Sequence, residues 1–213
     1  MKLTPEQLKD FSKQHICYEI SSLLSAMNLY CGVPSSKADT LEDHFQLAAQ
    51  NSFLECTILH ARCLFEFLYV DKKIKDDDSK AIDFFPDPLT WIATRTGLPD
   101  GLANLSFRTG KEIAHLTYHR QSLSEIEKTW DIRQITRDLL ACLIKFAEGA
   151  DPNRLHAEVK MTIDFWVKHL SYEPGQIESG KITTGSSSIS VSGFSADVGT
   201  TGLTAAIYPS KKN

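Results

Sequence analysis

The chain predicts an all-α fold, a bundle of five or six helices followed by a flexible Gly/Ser/Thr-rich tail. Three observations carry this expectation. Apolar residues recur at helical spacing through long stretches without Gly or Pro, above all "HFQLAAQNSFLECTILHARCLFEFLYV". Capping residues stand where such stretches begin, and Gly or Pro where they end. The 213 residues, 42% hydrophobic and 23% charged, suit one sizeable globular core.

The first helix starts at Thr4-Pro5, because Thr4 can cap, Pro5 suits the first turn and Gln7 completes a capping box. It runs to about Tyr30 and ends at "CGVPSS", where Gly32 and Pro34 stop it. The second starts near Asp39, with Glu42 three residues on, and is apolar nearly all round in its second half. Such a helix is central, contacted on several sides. Between Asp71 and Asp100 the pattern breaks into "DKKIKDDDSK", "FFPDP" and "TGLPDG". A short helix fits Leu89 to Thr94, with Phe84, Phe85 and Trp91 pinning the connection to the bundle. A fourth helix carries "RTGKEIAHLTYHR" and either begins at Thr109 or arrives from Gly101–Phe107 and bends at Gly110. The fifth runs from Ser122 or Ser124 to Gly149, and Asp151-Pro152 opens the sixth, "NRLHAEVKMTIDFWVKHL". The bundle domain therefore spans residues 1–170. Residues 171–213 are low in large apolar side chains and read as a disordered tail.

Composition also excludes function classes. A formal net charge of −4 argues against a broad basic surface for long nucleic acid, since phosphate neutralisation dominates such affinity. A local site for one phosphodiester stays open. No apolar run reaches the roughly 18 residues of a membrane span, and the N-terminus lacks the apolar core of a signal peptide, so a cytoplasmic protein without a membrane partner is expected. Cys17, Cys31, Cys56, Cys63 and Cys142 form no C-x-x-C pair and lie mostly in apolar stretches, which predicts reduced, buried thiols.

Several constellations carry chemistry. His115 and His119 stand four apart, and Glu112-x-x-His115 has the spacing of di-iron carboxylate bundles. Neither motif is completed: Leu116 stands where a zinc protease needs Glu, and the Glu-x-x-His unit occurs once. No metal and no cofactor are expected. Cys56 and Cys63 flank His60 on an apolar helix, where a thiolate is disfavoured, so they read as structural. Glu55, Arg62, Glu66 and Tyr69 share one face of the second helix at i, i+7, i+11 and i+14. They form either an internal salt-bridge set or one wall of a polar pocket shared with His115.

"RTGKEIAH" places Arg108, six intervening residues, then His115, late in a helical bundle. In this the chain resembles the HEPN (higher eukaryotes and prokaryotes nucleotide-binding) domains over about Thr4 to Leu170. Catalytic members of that family carry an Arg, four to six residues, then a His. The resemblance implies metal-independent RNA cleavage at a site assembled by two protomers, hence a homodimer. His115 would exchange a proton with the 2′-hydroxyl or the leaving oxygen, and Arg108 would stabilise the pentacoordinate phosphate. Glu112 would orient either residue, while His119 and Arg120 would contact neighbouring phosphates. In a continuous helix Arg108 and His115 point the same way about 10 Å apart along the axis. The alternative is a non-catalytic dimerisation or binding module in which Glu55, Arg62, Glu66 and His115 form a polar network, and a regulatory protein partner is left open.

Overall fold

Thr4 accepts from the Gln7 amide and Gln7 Oε1 accepts from the Thr4 amide, so the capping box read from the sequence starts the bundle. The computed structural model describes residues 3–32, 40–71, 77–115, 117–124 and 126–170; the tail expected over 171–213 lies outside them. The first helix is α1 (Pro5–Phe11), a π-turn (Ser12–Ile16) and α2 (Cys17–Gly32) in unbroken succession. Ser12 is fully buried. Its hydroxyl donates to the Lys9 carbonyl at 2.8 Å and accepts the His156 amide at 3.0 Å. A side-chain bond to the preceding turn competes with the helical ladder and accounts for the wider turn, which the bonded His156 amide ties to a distant segment.

The second long helix, α3 (Leu41–Tyr69), is capped by Thr40 and Asp43 rather than by Asp39 and Glu42. Its C-terminal half buries Thr57, Ile58, Ala61, Leu64, Phe65, Phe67 and Leu68 against α2 and α8 (Ile132–Gly149). Its N-terminal half has no buried residue. The central-helix expectation thus holds for one half.

A 3₁₀ turn (Ala81–Phe84) and α4 (Pro88–Thr94) follow, and Phe84, Phe85 and Trp91 are inserted into the core as expected. Phe146 of α8 is their hub, with ring centroids 5.2, 5.5 and 5.8 Å from Phe67, Phe84 and Trp91. The end of α8 lies so near this cluster that a Cβ on Gly149 would stand 3.1 Å from Phe85. The chain then forms α5 (Asp100–Ala103), α6 (Leu105–Arg108), a second π-turn (Thr109–Ala114) and α7 (His119–Ser122). The helix entering the Arg108 stretch thus starts before Thr109, at Leu105, while Gly101 lies in the separate α5. The long helix expected from Ser122 or Ser124 begins only at Ile132, capped by Asp131, because Ser124 caps a separate turn over 124–129. Residues 151–155 also turn before α9 (Ala157–Leu170), held by Arg154 donating to the carbonyls of Asp83 and Phe85. No strand occurs among the described residues.

Candidate functional site

Leu105 is buried, so α6 is anchored on the core and Arg108 emerges on its rim. Thr109 is fully buried and donates its hydroxyl to the Leu105 carbonyl at 2.7 Å. The ladder again widens at a buried hydroxyl, and the π-turn that follows ends at His115, whose backbone is extended at φ −127°, ψ 142°. Arg108 and His115 therefore do not stand two turns apart on one continuous α-helix.

The Arg108 guanidinium is engaged on every side. Its Nε and Nη2 meet the two carboxylate oxygens of Glu112 at 2.7 and 2.8 Å, a bidentate pair. Nη2 also donates to the Glu127 carbonyl at 2.6 Å, the Thr129 carbonyl lies at 3.5 Å, and the Trp130 ring centroid lies 3.9 Å from its carbon. The Glu112 side chain is 7% exposed, against 27% for Arg108. Together they fasten the turn over 124–129 to α6. Ser124 shapes that turn through its amide and hydroxyl, both donated to Glu127 Oε2 at 2.8 and 2.7 Å. These bonds, from the hydroxyl first, hold the Glu127 carboxyl below its ordinary pKa, with the nearby His119 adding to the effect.

His115 is exposed and has no hydrogen-bond partner among the described residues. His119 begins a separate helix and stands edge-on to Phe107 at 5.8 Å. The two histidines do not share a helical face, and Glu112 is turned to Arg108. No group of three or more His, Cys, Asp or Glu that could hold a metal occurs among the described residues. The Arg120 side chain lies outside the description.

The stripe on α3 divides. Glu55 is exposed and has no ion-pair or hydrogen-bond partner among the described residues, whereas Arg62 donates to Glu66 at 2.8 Å and Ser106 of α6 donates to the same carboxylate oxygen at 3.0 Å. With side chains 35% and 37% exposed, this pair lies on the rim rather than in the core. Tyr69 bonds Thr96 through its hydroxyl, and burial pushes its pKa up. The pocket joining Glu55, Arg62, Glu66 and His115 is therefore not assembled; Glu66–Ser106 and Arg108–Glu112 are separate contacts of α6. Of the cysteines only Cys142 is buried, with Cys31 and Cys63 exposed, which corrects the expectation of buried thiols. The exposed Cys63 keeps enough surrounding protein for desolvation to raise its pKa, and the same holds for Cys56. His60 is hydrogen-bonded to Glu19 at 2.7 Å.

Two polar features went unread in the sequence. Arg95 caps the end of α3, donating to the Leu68 and Tyr69 carbonyls at 3.2 Å and pairing bidentately with Asp71 at 2.8 and 2.9 Å. Lys80 is 5% exposed and reaches the Glu66 carbonyl at 3.4 Å. The signal for Arg95 was its position one turn past Trp91, whose indole donates to the same Leu68 carbonyl. Three cavities of about 330, 350 and 290 Å³ have other walls than Arg108 and His115.

Compared with protein-family models, with curated proteins and with solved structures, the chain matches none. No helix among the described residues is long and apolar enough to cross a membrane.

Proposed function

We propose that this chain is a non-catalytic helical interaction module. One observation carries the reading: Arg108, the charged group on which phosphoryl chemistry would depend, has Glu112, two backbone carbonyls and the Trp130 face as partners. A phosphate would have to displace a bidentate carboxylate and leave Glu112 uncompensated and nearly buried. The residue is placed as a clamp that holds the 124–129 turn on α6. The half of α3 without buried residues supplies the surface such a module needs.

A second reading is favoured by His115. Exposed and without a hydrogen-bond partner among the described residues, its imidazole is open to a substrate hydroxyl, as a HEPN-like metal-independent endoribonuclease acting on RNA would require. There it would take the 2′-hydroxyl proton or give one to the leaving oxygen, with charge on the phosphate met by a guanidinium released from Glu112 or supplied by a second protomer.

The experiment is RNA cleavage in chelator by wild type and His115→Ala, with circular dichroism on both. The module reading expects structured and single-stranded RNA to stay intact with either protein. Cleavage by wild type that is lost in a folded His115→Ala overturns it in favour of the nuclease.

A further inference from the structure

The outer face of α3 has a period of its own. Leu41, Phe45, Ala48, Ser52, Glu55 and Leu59 follow at steps of four, three, four, three and four. At about 100° per residue they lie within about 40° of one line along the helix, opposite Thr57, Ala61 and Leu68 on the core side. All six are exposed; Leu41, Phe45 and Leu59 retain 72%, 67% and 42% of their accessible surface. Beyond Leu59 the line continues to Arg62 and Glu66, where Ser106 of α6 reaches it. This is a two-residue-per-heptad seam without a partner helix among the described residues.

We infer that the seam is covered by the same seam of a second copy of this chain, running antiparallel. The inference rests on the interaction-module reading and names its partner. Three arguments select this occupant. First, the pattern is self-complementary: about a two-fold axis at the level of Gln50, Leu41 opposes the partner's Leu59 and Ala48 opposes Ser52. Small residues then meet at the crossing point, where the backbones come closest. The Ser52 hydroxyl already donates to the Ala48 carbonyl at 2.8 Å, so covering it strands no donor. Second, charge fits. Glu55 opposes the partner's Phe45 with its carboxylate beside the partner's His44, and the axis generates this contact twice; both residues are exposed. Third, the area is enough for a specific contact. From Leu41 to Leu59 a helix rises about 27 Å, and two helices in contact over that length bury on the order of 1,000 Å² in total, the lower limit for a specific interface. An interface of that size lies at the weak, transient end of specific contacts, so the dimer is sought at high protein concentration.

The test is sedimentation of the full chain from about 1 µM to about 500 µM. A concentration-dependent dimer is expected. Ala48→Arg should weaken it at least tenfold, whereas Met161→Arg, at an exposed position of α9, should leave it unchanged. Glu55→Lys should weaken it, and adding His44→Glu should restore it, since the register sets these two against each other. Ser52→Gln on the central layer replaces Ala48→Arg if that variant does not fold. A chain monomeric at the highest concentration overturns the proposal. So does a dimer indifferent to Ala48→Arg, or wild type that stays monomeric while pulling down a different protein through this face. RNA cleavage on the same preparations reports on the module reading separately: a monomer that leaves RNA intact sinks the dimer alone.

Discussion

Phe146 and Arg108 each organise a region, by opposite means. Phe146 is fully buried and gathers Phe67, Phe84, Phe85 and Trp91 from three other segments through ring contacts. Arg108 stays partly exposed and gathers Glu112, the 124–129 turn and Trp130 through directed bonds and one stacked ring. Apolar burial is non-directional and shared among many neighbours, so that region has α3, α4 and α8 all invested in one cluster. The Arg108 region buries fewer side chains, with Leu105, Thr109 and Leu102 its only fully buried residues between Asp100 and Asp131 among those described, and it relies more on the directed bonds of Arg108. The difference teaches where a mutation should act globally and where locally.

The largest effect is expected at the hub. Phe146→Ala leaves a cavity facing four aromatic rings and should cost about 3–5 kcal/mol, lowering the Tm by about 10–15 °C. Denaturant melts followed by circular dichroism measure this. A loss under about 1 kcal/mol would mean the cluster collapses onto the space and is not the keystone of the core.

Arg108→Ala should cost less, about 2–4 kcal/mol, most of it from the unpaired Glu112 carboxylate. Its signature is local: amides between 105 and 131 exchange faster while those in the C-terminal half of α3 keep their protection. Arg108→Lys should recover little, because an ammonium cannot reproduce the fork or the stacked plane. His115→Ala, at an exposed and unpartnered position, should stay within about 0.5 kcal/mol of wild type. Equal losses at Arg108 and His115 would erase the distinction drawn between them.

The helical class, the Thr4 cap, α4 and the insertion of Phe84, Phe85 and Trp91 were legible because each has a local sign: a capping box, Pro at a first turn, aromatic residues in an otherwise polar connection. Both π-turns were missed. Each opens at a hydroxyl residue that is buried and bonded backwards, Ser12 to Lys9 and Thr109 to Leu105, and burial of a lone hydroxyl is a tertiary property. That same widening is why Arg108 and His115 do not keep the two-turn spacing that a continuous α-helix through Thr109–Ala114 would give them. Arg108 and Glu112 stand four apart in the sequence, but the carbonyls of Glu127 and Thr129 come from a turn that the periodicity had merged into α8. The late start of α8 follows from Ser124 closing on Glu127 instead of capping a helix.

The smallest expected effect tests the turn that Arg108 grips. Ser124 holds the Glu127 carboxyl below its ordinary pKa, so the folded chain binds fewer protons at this site than the unfolded chain does. The contact therefore stabilises above the ordinary carboxylate range, and that contribution disappears as pH falls through the folded value. Glu127 is fully exposed, so water competes for the bond, and Ser124→Ala should lower the Tm by no more than about 2 °C at neutral pH. Once the pH has fallen through the folded carboxyl's own range and the group is protonated in both proteins, the two melting curves should converge. A gap that persists there would assign the effect of Ser124 to the backbone of the turn and not to its carboxylate. In an Arg108→Ala background the neutral-pH gap should shrink, because a turn no longer held through the Glu127 carbonyl contributes less to the folded state, whatever closes it.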